Sequence, residues 1–427
     1  MKKFAPIIAL LLAVAMLFGA CGSQKEEAVA TIEGNIIAAD EFANIFEIYV
    51  DYYGLDMTDT SEDNIYQLES LQSMLLDALI NEEVMMVKAA ELGMDKLTEE
   101  EQATVEENVR ITLEDAEATI RAEMEAEHPE ASGSELNILV TTELATRGYV
   151  EEDIREGETE NIIYQRMVEY ITANVTISDA ELKAGYDDAV AAAEESYSES
   201  SNTYEYDISS MGYAYYTPAG VRRIKEILIA FDDEYANELY ELYYSEGEDS
   251  DAYQTALEEA LASVEEEAQT ILDKLEPDGS NFEELRDEYN DDFYAADNPD
   301  GYYVATLNSS YDEDYVAAIA ALEAEGDISG LIPTSDGYCI VRLEELVPEG
   351  PVAFEDVKDA LYEELLASKQ DEVFYSQVEA WRAQMDITIN DELLASMLPT
   401  PTEEGIDLTP DEGMDVILDE EDAIVLE

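Results

Sequence analysis

The chain has 427 residues, 46% of them hydrophobic, enough for more than one apolar core and consistent with two or three domains. It carries 105 acidic residues against 20 basic ones, a formal net charge of -85, and such a surface repels nucleic acid and anionic lipid headgroups. Two cysteines and a single histidine, His128, leave no material for a disulfide framework, a histidine-based metal site or a Ser-His-Asp triad. The acidity reads either as a solvated surface or as a means of capturing basic clients or wall-associated cations.

Lys2 and Lys3 precede an apolar run from Phe4 to Ala20, long enough for a signal-peptide core and too short and one-sided for a permanent span. The run ends Leu17-Phe18-Gly19-Ala20-Cys21, small residues before a lone cysteine, and is similar to a bacterial lipobox, although Phe18 replaces the usual aliphatic residue. That likeness implies cleavage before Cys21 and a membrane anchor through lipid on its thiol. Cleavage that merely falls near a cysteine is the alternative. No second apolar run approaches a span, so everything after Ser23 is expected to be soluble. With Cys21 lipidated, Cys339 has no partner within the chain.

After a charged spacer over 24–28, Val29 to Ile37 reads as two short strands around a Gly34-Asn35 turn, with a helix from Asp40. Leu68, Leu71, Leu75 and Leu79 recur at three- and four-residue steps, which predicts a helix from Tyr66 to Leu92 with one buried face and Gly93 at its C-cap. Met74, Met85, Met86 and Met94 fit ordinary packing or an adaptable client groove. Further helices are expected over Thr98–Glu127, with His128 exposed at the end, and over Gly148–Ala173. At Ile177-Ser178-Asp179-Ala180-Glu181-Leu182 a capping box joins Ser178 to Glu181 and a staple joins Ile177 to Leu182, which marks a helix start. From Ser196 to Gly212 the residues turn to Ser, Tyr, Glu and Asn without helical period, and a linker or irregular insertion is expected over 196–218.

Beyond it the pattern changes class. Arg222 to Ile229 alternates and is rich in branched residues, as a strand should be. A helix from Ala252 to Leu275 stops at Pro277-Asp278-Gly279, and a second starts near Asn281 with Phe282 and Leu285 inward. A short helix near Tyr311 to Leu322 leads to Gly326-Asp-Ile-Ser-Gly330 and a strand from Gly337 to Leu343. This order predicts an α+β domain over 219–347, a small antiparallel sheet flanked by helices. A long helix then returns between Phe354 and Met385 with Phe374, Val378, Trp381 and Met385 on one stripe, within a C-terminal segment of 348–390. Residues 391–427 carry prolines and acidic runs and are expected to be disordered.

Val29 to Phe42 with Leu75 to Gly93, then Thr176 to Tyr186, then Arg222 to Leu343 with Gly337-Tyr338, together resemble the PrsA/SurA-like extracytoplasmic foldases. The resemblance implies signal peptide 1–20, lipidated N-terminus 21–28, a helical chaperone region 29–195 completed by 348–390, and an inserted parvulin-type peptidyl-prolyl isomerase domain. It implies unfolded secreted polypeptides as partners, the membrane through Cys21, no nucleic acid and no cofactor, and it leaves room for a homodimer. Parvulins of this kind carry a histidine in the first strand and another in the last. Here those positions are Glu226, in Lys225-Glu-Ile-Leu228, and Cys339, in Gly337-Tyr-Cys-Ile340. The family's acidic position falls on Asp292, and its proline-binding positions on Tyr311 and Tyr315, with Tyr338 beside them. Four-residue spacing puts Tyr311 and Tyr315 on one helix face; they serve either as a proline pocket or as domain core, and Cys339 either as a buried filler or as a reactive thiol.

Turning an X-Pro bond requires crossing about 18–20 kcal/mol without changing any covalent bond, so a dry pocket and a few oriented polar groups suffice. Two carboxylates in one network disfavour joint ionisation, so one must hold a proton or the pair must recruit a cation. An impaired isomerase within a client-binding foldase is therefore the leading expectation. A fully active isomerase is the alternative, and a solute-binding or adhesion lipoprotein shares only the anchor and the acidic surface.

Overall fold

The computed structural model describes residues 27–400 apart from 308 and 310. The signal segment, Cys21 and the acidic stretch after residue 400 lie outside the described residues. The chain divides into two compact units, one running to Asn174 and resumed from Gln370, the other spanning Val175–Lys369. Among the described residues no helix is long and apolar enough to cross a membrane.

In the first unit β1 (Ala28–Ile32) and β2 (Asn35–Ala38) form a hairpin, and β9 (Ile387–Ile389) pairs antiparallel with the free side of β1. The turn residues are Glu33 and Gly34, both at positive φ, one position earlier than the Gly34-Asn35 turn expected, because Asn35 pairs with Ile32. Helices α1 (Ala39–Tyr52), α2 (Glu62–Leu92), α3 (Glu99–Glu127), α4 (Gly133–Thr146) and α5 (Glu151–Thr172) follow. The leucine stripe of α2 is fully legible in its packing: Leu68 and Leu75 are wholly buried, and Gly93 caps the end in the left-handed conformation. Around it Phe42, Ile45, Ile80, Met85, Met167, Phe374 and Val378 make one core, with Trp381 and Met385 against its edge. Met85 is wholly buried and Met74, Met86 and Met94 pack against that core, so these thioethers fill the interior. Residues 391–396, expected to be disordered, form helix α13, because Leu394 is buried in this core and Gln72 donates to its carbonyl at 3.0 Å.

In the second unit α6 (Asp179–Glu199) begins as expected, with Ser178 and Glu181 closing a reciprocal capping box. The expected linker is instead the end of α6 and a further helix, α7 (Ser201–Met211). Tyr197 and Tyr204 are buried edge to face, at 4% and 2% exposure, in a core with Leu182, Tyr215, Val357 and Leu361, so their rings hold as helix a stretch whose local composition reads as loop. A four-stranded sheet runs β5-β4-β7-β6, from β4 (Val221–Ala230), β5 (Tyr302–Ala305), β6 (Ile332–Pro333) and β7 (Gly337–Leu346), all neighbours antiparallel. Between β4 and β5 come α8 (Asp233–Glu246), unforeseen in the sequence, then α9 (Asp251–Lys274) and α10 (Phe282–Tyr289). Helix α11 (Glu313–Ala320) joins β5 to β6, and β3 (Tyr216–Thr217) pairs with β8 (Gly350–Pro351) before α12 (Phe354–Arg382) carries the chain back. One face of the large sheet packs Ile227, Ile229 and Ile340 under α9 and α10; the other packs Ile224, Val304, Val341 and Leu343 under α11.

Candidate functional site

The pairing of β4 with β7 builds the site. Leu228 lies opposite Cys339 and Glu226 opposite Val341. Side chains alternate along each strand, so Glu226 and Cys339 project from the same face as diagonal neighbours. Gly337 lets the strands close there: a Cβ at this position would sit 2.1 Å from the carbonyl oxygen of Ile229, at φ +152.

On that face the Tyr315 hydroxyl of α11 donates to Glu226 Oε2 at 2.5 Å. The Cys339 thiol also hydrogen-bonds to Glu226 and to the side chain of Thr334. Burial, then the Glu226 charge, push the thiol well above its ordinary range, so Cys339 is a neutral donor and a poor nucleophile. Burial also raises the Glu226 carboxyl, a rise opposed by the Tyr315 hydrogen bond and reinforced by the Asp292 charge. Desolvation and the Glu226 charge raise the Tyr315 hydroxyl in turn. Asp292 is held at the same site by the Tyr302 hydroxyl of β5, which donates to Asp292 Oδ2 at 2.5 Å.

How Asp292 arrives there follows from the sheet. β5 covers β4 only from Val221 to Ile224, leaving the rest of that edge unpaired. The chain leaving α10 satisfies it: Asn290 Oδ1 accepts from the Leu228 N–H at 2.8 Å, the Asp291 N–H donates to Leu228 O at 2.9 Å, and Asp291 Oδ2 accepts from Ala230 at 3.1 Å. Asp292 is the next residue.

Tyr311 precedes α11 rather than lying on it, since the helix starts at Glu313, yet its ring lies 5.8 Å from that of Tyr315. It remains 45% exposed while Tyr315 is 7% exposed, so Tyr315 is the floor and Tyr311 the rim. The strand before Tyr311 is fixed by Glu205 of α7, whose Oε1 accepts from the Ala305 N–H at 3.0 Å and the Ser309 hydroxyl at 2.7 Å. Tyr338 is not brought to this site: one residue from Cys339, it turns to the opposite face and packs with Ile227, Ile229 and Ile340. The structure therefore joins Glu226, Cys339, Asp292, Tyr315 and Tyr311 and leaves Tyr338 out. Tyr302, Thr334 and Arg286 were missed. Tyr302 is foreshadowed only by its place on the strand facing the first one, Arg286 only by being a basic residue in an acidic run.

Residues 215–359 match the PPIC-type PPIASE domain, and residues 2–115 match the SurA-like N-terminal domain. The foldase protein PrsA of Clostridium kluyveri is 30% identical over 131 residues, covering 30% of this chain and 37% of that protein, so this match spans little over a third of the relative. The foldase protein PrsA of Clostridium acetobutylicum is 20% identical over 408 residues, covering 92% of this chain and 100% of the relative. Among solved structures, PrsA from Bacillus subtilis is 15% identical over 89% of this chain and 100% of its own, with a TM-score of 0.22. A SurA-like chaperone of Campylobacter jejuni is 16% identical over 85% and 100%, with a TM-score of 0.26. One chain thus carries a stretch similar to a SurA-like N-terminal domain and, after it, a stretch similar to a PPIC-type PPIASE domain. Over most of its length the chain is similar to a PrsA foldase.

Proposed function

We propose that this protein is a foldase of the extracytoplasmic space, anchored through lipid on Cys21, that captures unfolded secreted polypeptides and carries a PPIC-type domain of impaired isomerase turnover. The observation that carries the reading is the network itself. Glu226, Cys339, Asp292 and the tyrosines stand together in the domain matched as PPIC-type, as an isomerase site requires, but with two carboxylates among them. Isomerisation needs donors free to favour the twisted amide over its planar forms. Here the hydroxyls of Tyr315 and Tyr302 are spent on Glu226 and Asp292, and the Cys339 thiol is spent on Glu226.

Client capture is supported by the SurA-like match and by an acidic surface suited to chains that carry basic residues. The test is aggregation of an unfolded secretory protein with and without the lipid-free full chain, made as Cys21→Ser. The reading requires slower aggregation at equimolar protein. Aggregation at the unassisted rate, for several clients, overturns it.

A further inference from the structure

Arg286 is only 9% exposed, and both its Nε and Nη2 are buried without any hydrogen-bond partner. A guanidinium stripped of water is costly unless opposite charge stands nearby, and an orphaned donor costs about 1–3 kcal/mol more. Arg286 lies in the last turn of α10, just before the segment Asn290–Asp292 that wraps the free edge of β4 from the helix-covered face to the network face. Its charge acts on Glu226 and on Tyr302, the hydroxyl that holds Asp292. The titratable groups gathered there are Glu226 on β4, Asp292 after α10, Tyr302 on β5, Tyr311 and Tyr315 at α11, and Cys339 on β7, with Asp336 before β7 acting on Cys339 and Glu205 of α7 acting on Tyr311. Among the described residues Arg286 is the cation that acts on this group. Lys225 and Arg342 pair with Glu283 instead.

We infer that Arg286 is the positioning residue of this network: its buried, unpartnered guanidinium supplies positive charge to Glu226 and to the Tyr302 hydroxyl that holds Asp292, and so helps keep Glu226 an acceptor for Tyr315 and Cys339. Of the two outcomes open to neighbouring carboxylates, a retained proton or a recruited cation, this is the second, supplied from α10 through space rather than by a direct ion pair. Arg286 acts through the side chains of the network. The inference rests on the geometry of the network and does not depend on client capture or turnover.

The test is the pH dependence of thermal unfolding in the lipid-free full chain, comparing Arg286→Met with Arg286→Lys. Loss of the cation makes the folded state bind one more proton, on Glu226, than the wild type does. The unfolding temperature of Arg286→Met then falls more steeply from pH 5 to pH 8, by the slope of about one proton per chain, while Arg286→Lys keeps the wild-type slope. A purely structural arginine predicts an equal loss at every pH, and that result overturns the inference. If Arg286→Met does not fold, adding Glu226→Gln removes one of the two charges and restores folding. Failure of the double variant also overturns it.

Discussion

Glu82 of α2 gives the sharpest quantitative expectation. Its Oε1 is buried without a partner, and Glu160, Glu41 and Glu83 add like charge from α5, α1 and α2. Burial first, and these carboxylates second, push its carboxyl from 4.5 up to about 8, while Glu160 is pushed to about 7 by burial and by Glu156, Glu41 and Glu83. Glu83 is raised by burial too, and the hydroxyl of Tyr164 is raised by burial and by Glu82. The folded value lies above the unfolded one, so the stabilisation is complete below about 4.5 and is lost as pH rises through about 8. That window of about 3.5 pH units, at about 1.4 kcal/mol each, sets a ceiling near 5 kcal/mol, and partial solvent access reduces it to roughly half. Glu82→Gln keeps the volume and abolishes the titration. Its gain over wild type grows from about zero at pH 5 to about 2 kcal/mol at pH 8, a rise in unfolding temperature of about 4–8 °C for a unit of this size. Trp381, the sole tryptophan, lies against this core, so its fluorescence reads the unfolding of the first unit directly. Wild-type stability that increases from pH 5 to pH 8, or a Glu82→Gln profile parallel to wild type, refutes the reasoning.

Other perturbations test the second unit. Gly301 has φ +92, and a Cβ there would stand 2.0 Å from the Ile224 carbonyl oxygen. Gly301→Ala should therefore lower stability by about 2–4 kcal/mol in urea titrations. Tyr315→Phe removes the donor to Glu226 and should cost about 1–3 kcal/mol. The loss should be greatest at high pH, where Glu226 is ionised, and least in acid. Cys339, 4% exposed and raised by burial, should react with an aromatic disulfide in the Cys21→Ser chain only as fast as the unit opens. A burst of labelling in the native state would show an accessible thiolate.

Where periodicity and burial coincide, the sequence was readable. The α2 leucines, the Ser178–Glu181 box and the adjacency of the first and last long strands all stand in the structure as read. What escaped depends on contacts distant in sequence. Helix α7 exists because Tyr204 is buried and Glu205 holds the loop of Tyr311, neither of which its own composition reveals. Strand β9 is three residues held by β1, more than 350 positions away. Glu226, Cys339 and Asp292 were reached through family positions. Tyr338 was misplaced because strand alternation, which turns it away from Cys339, was not applied there. That the acids would hold a proton or recruit a cation was visible from charge alone, while Arg286 as the candidate cation required the edge of β4 to be traced in three dimensions.

The central claim is that an acid-bearing network leaves the PPIC-type domain a weak isomerase. It is tested most directly by cis-to-trans conversion of short X-Pro peptides, with X varied, in the presence of the lipid-free full chain. The account expects conversion within a few-fold of the unaided rate of tens of seconds for every X. Strong acceleration across the series, abolished by Tyr315→Phe or Glu226→Gln, would contradict it.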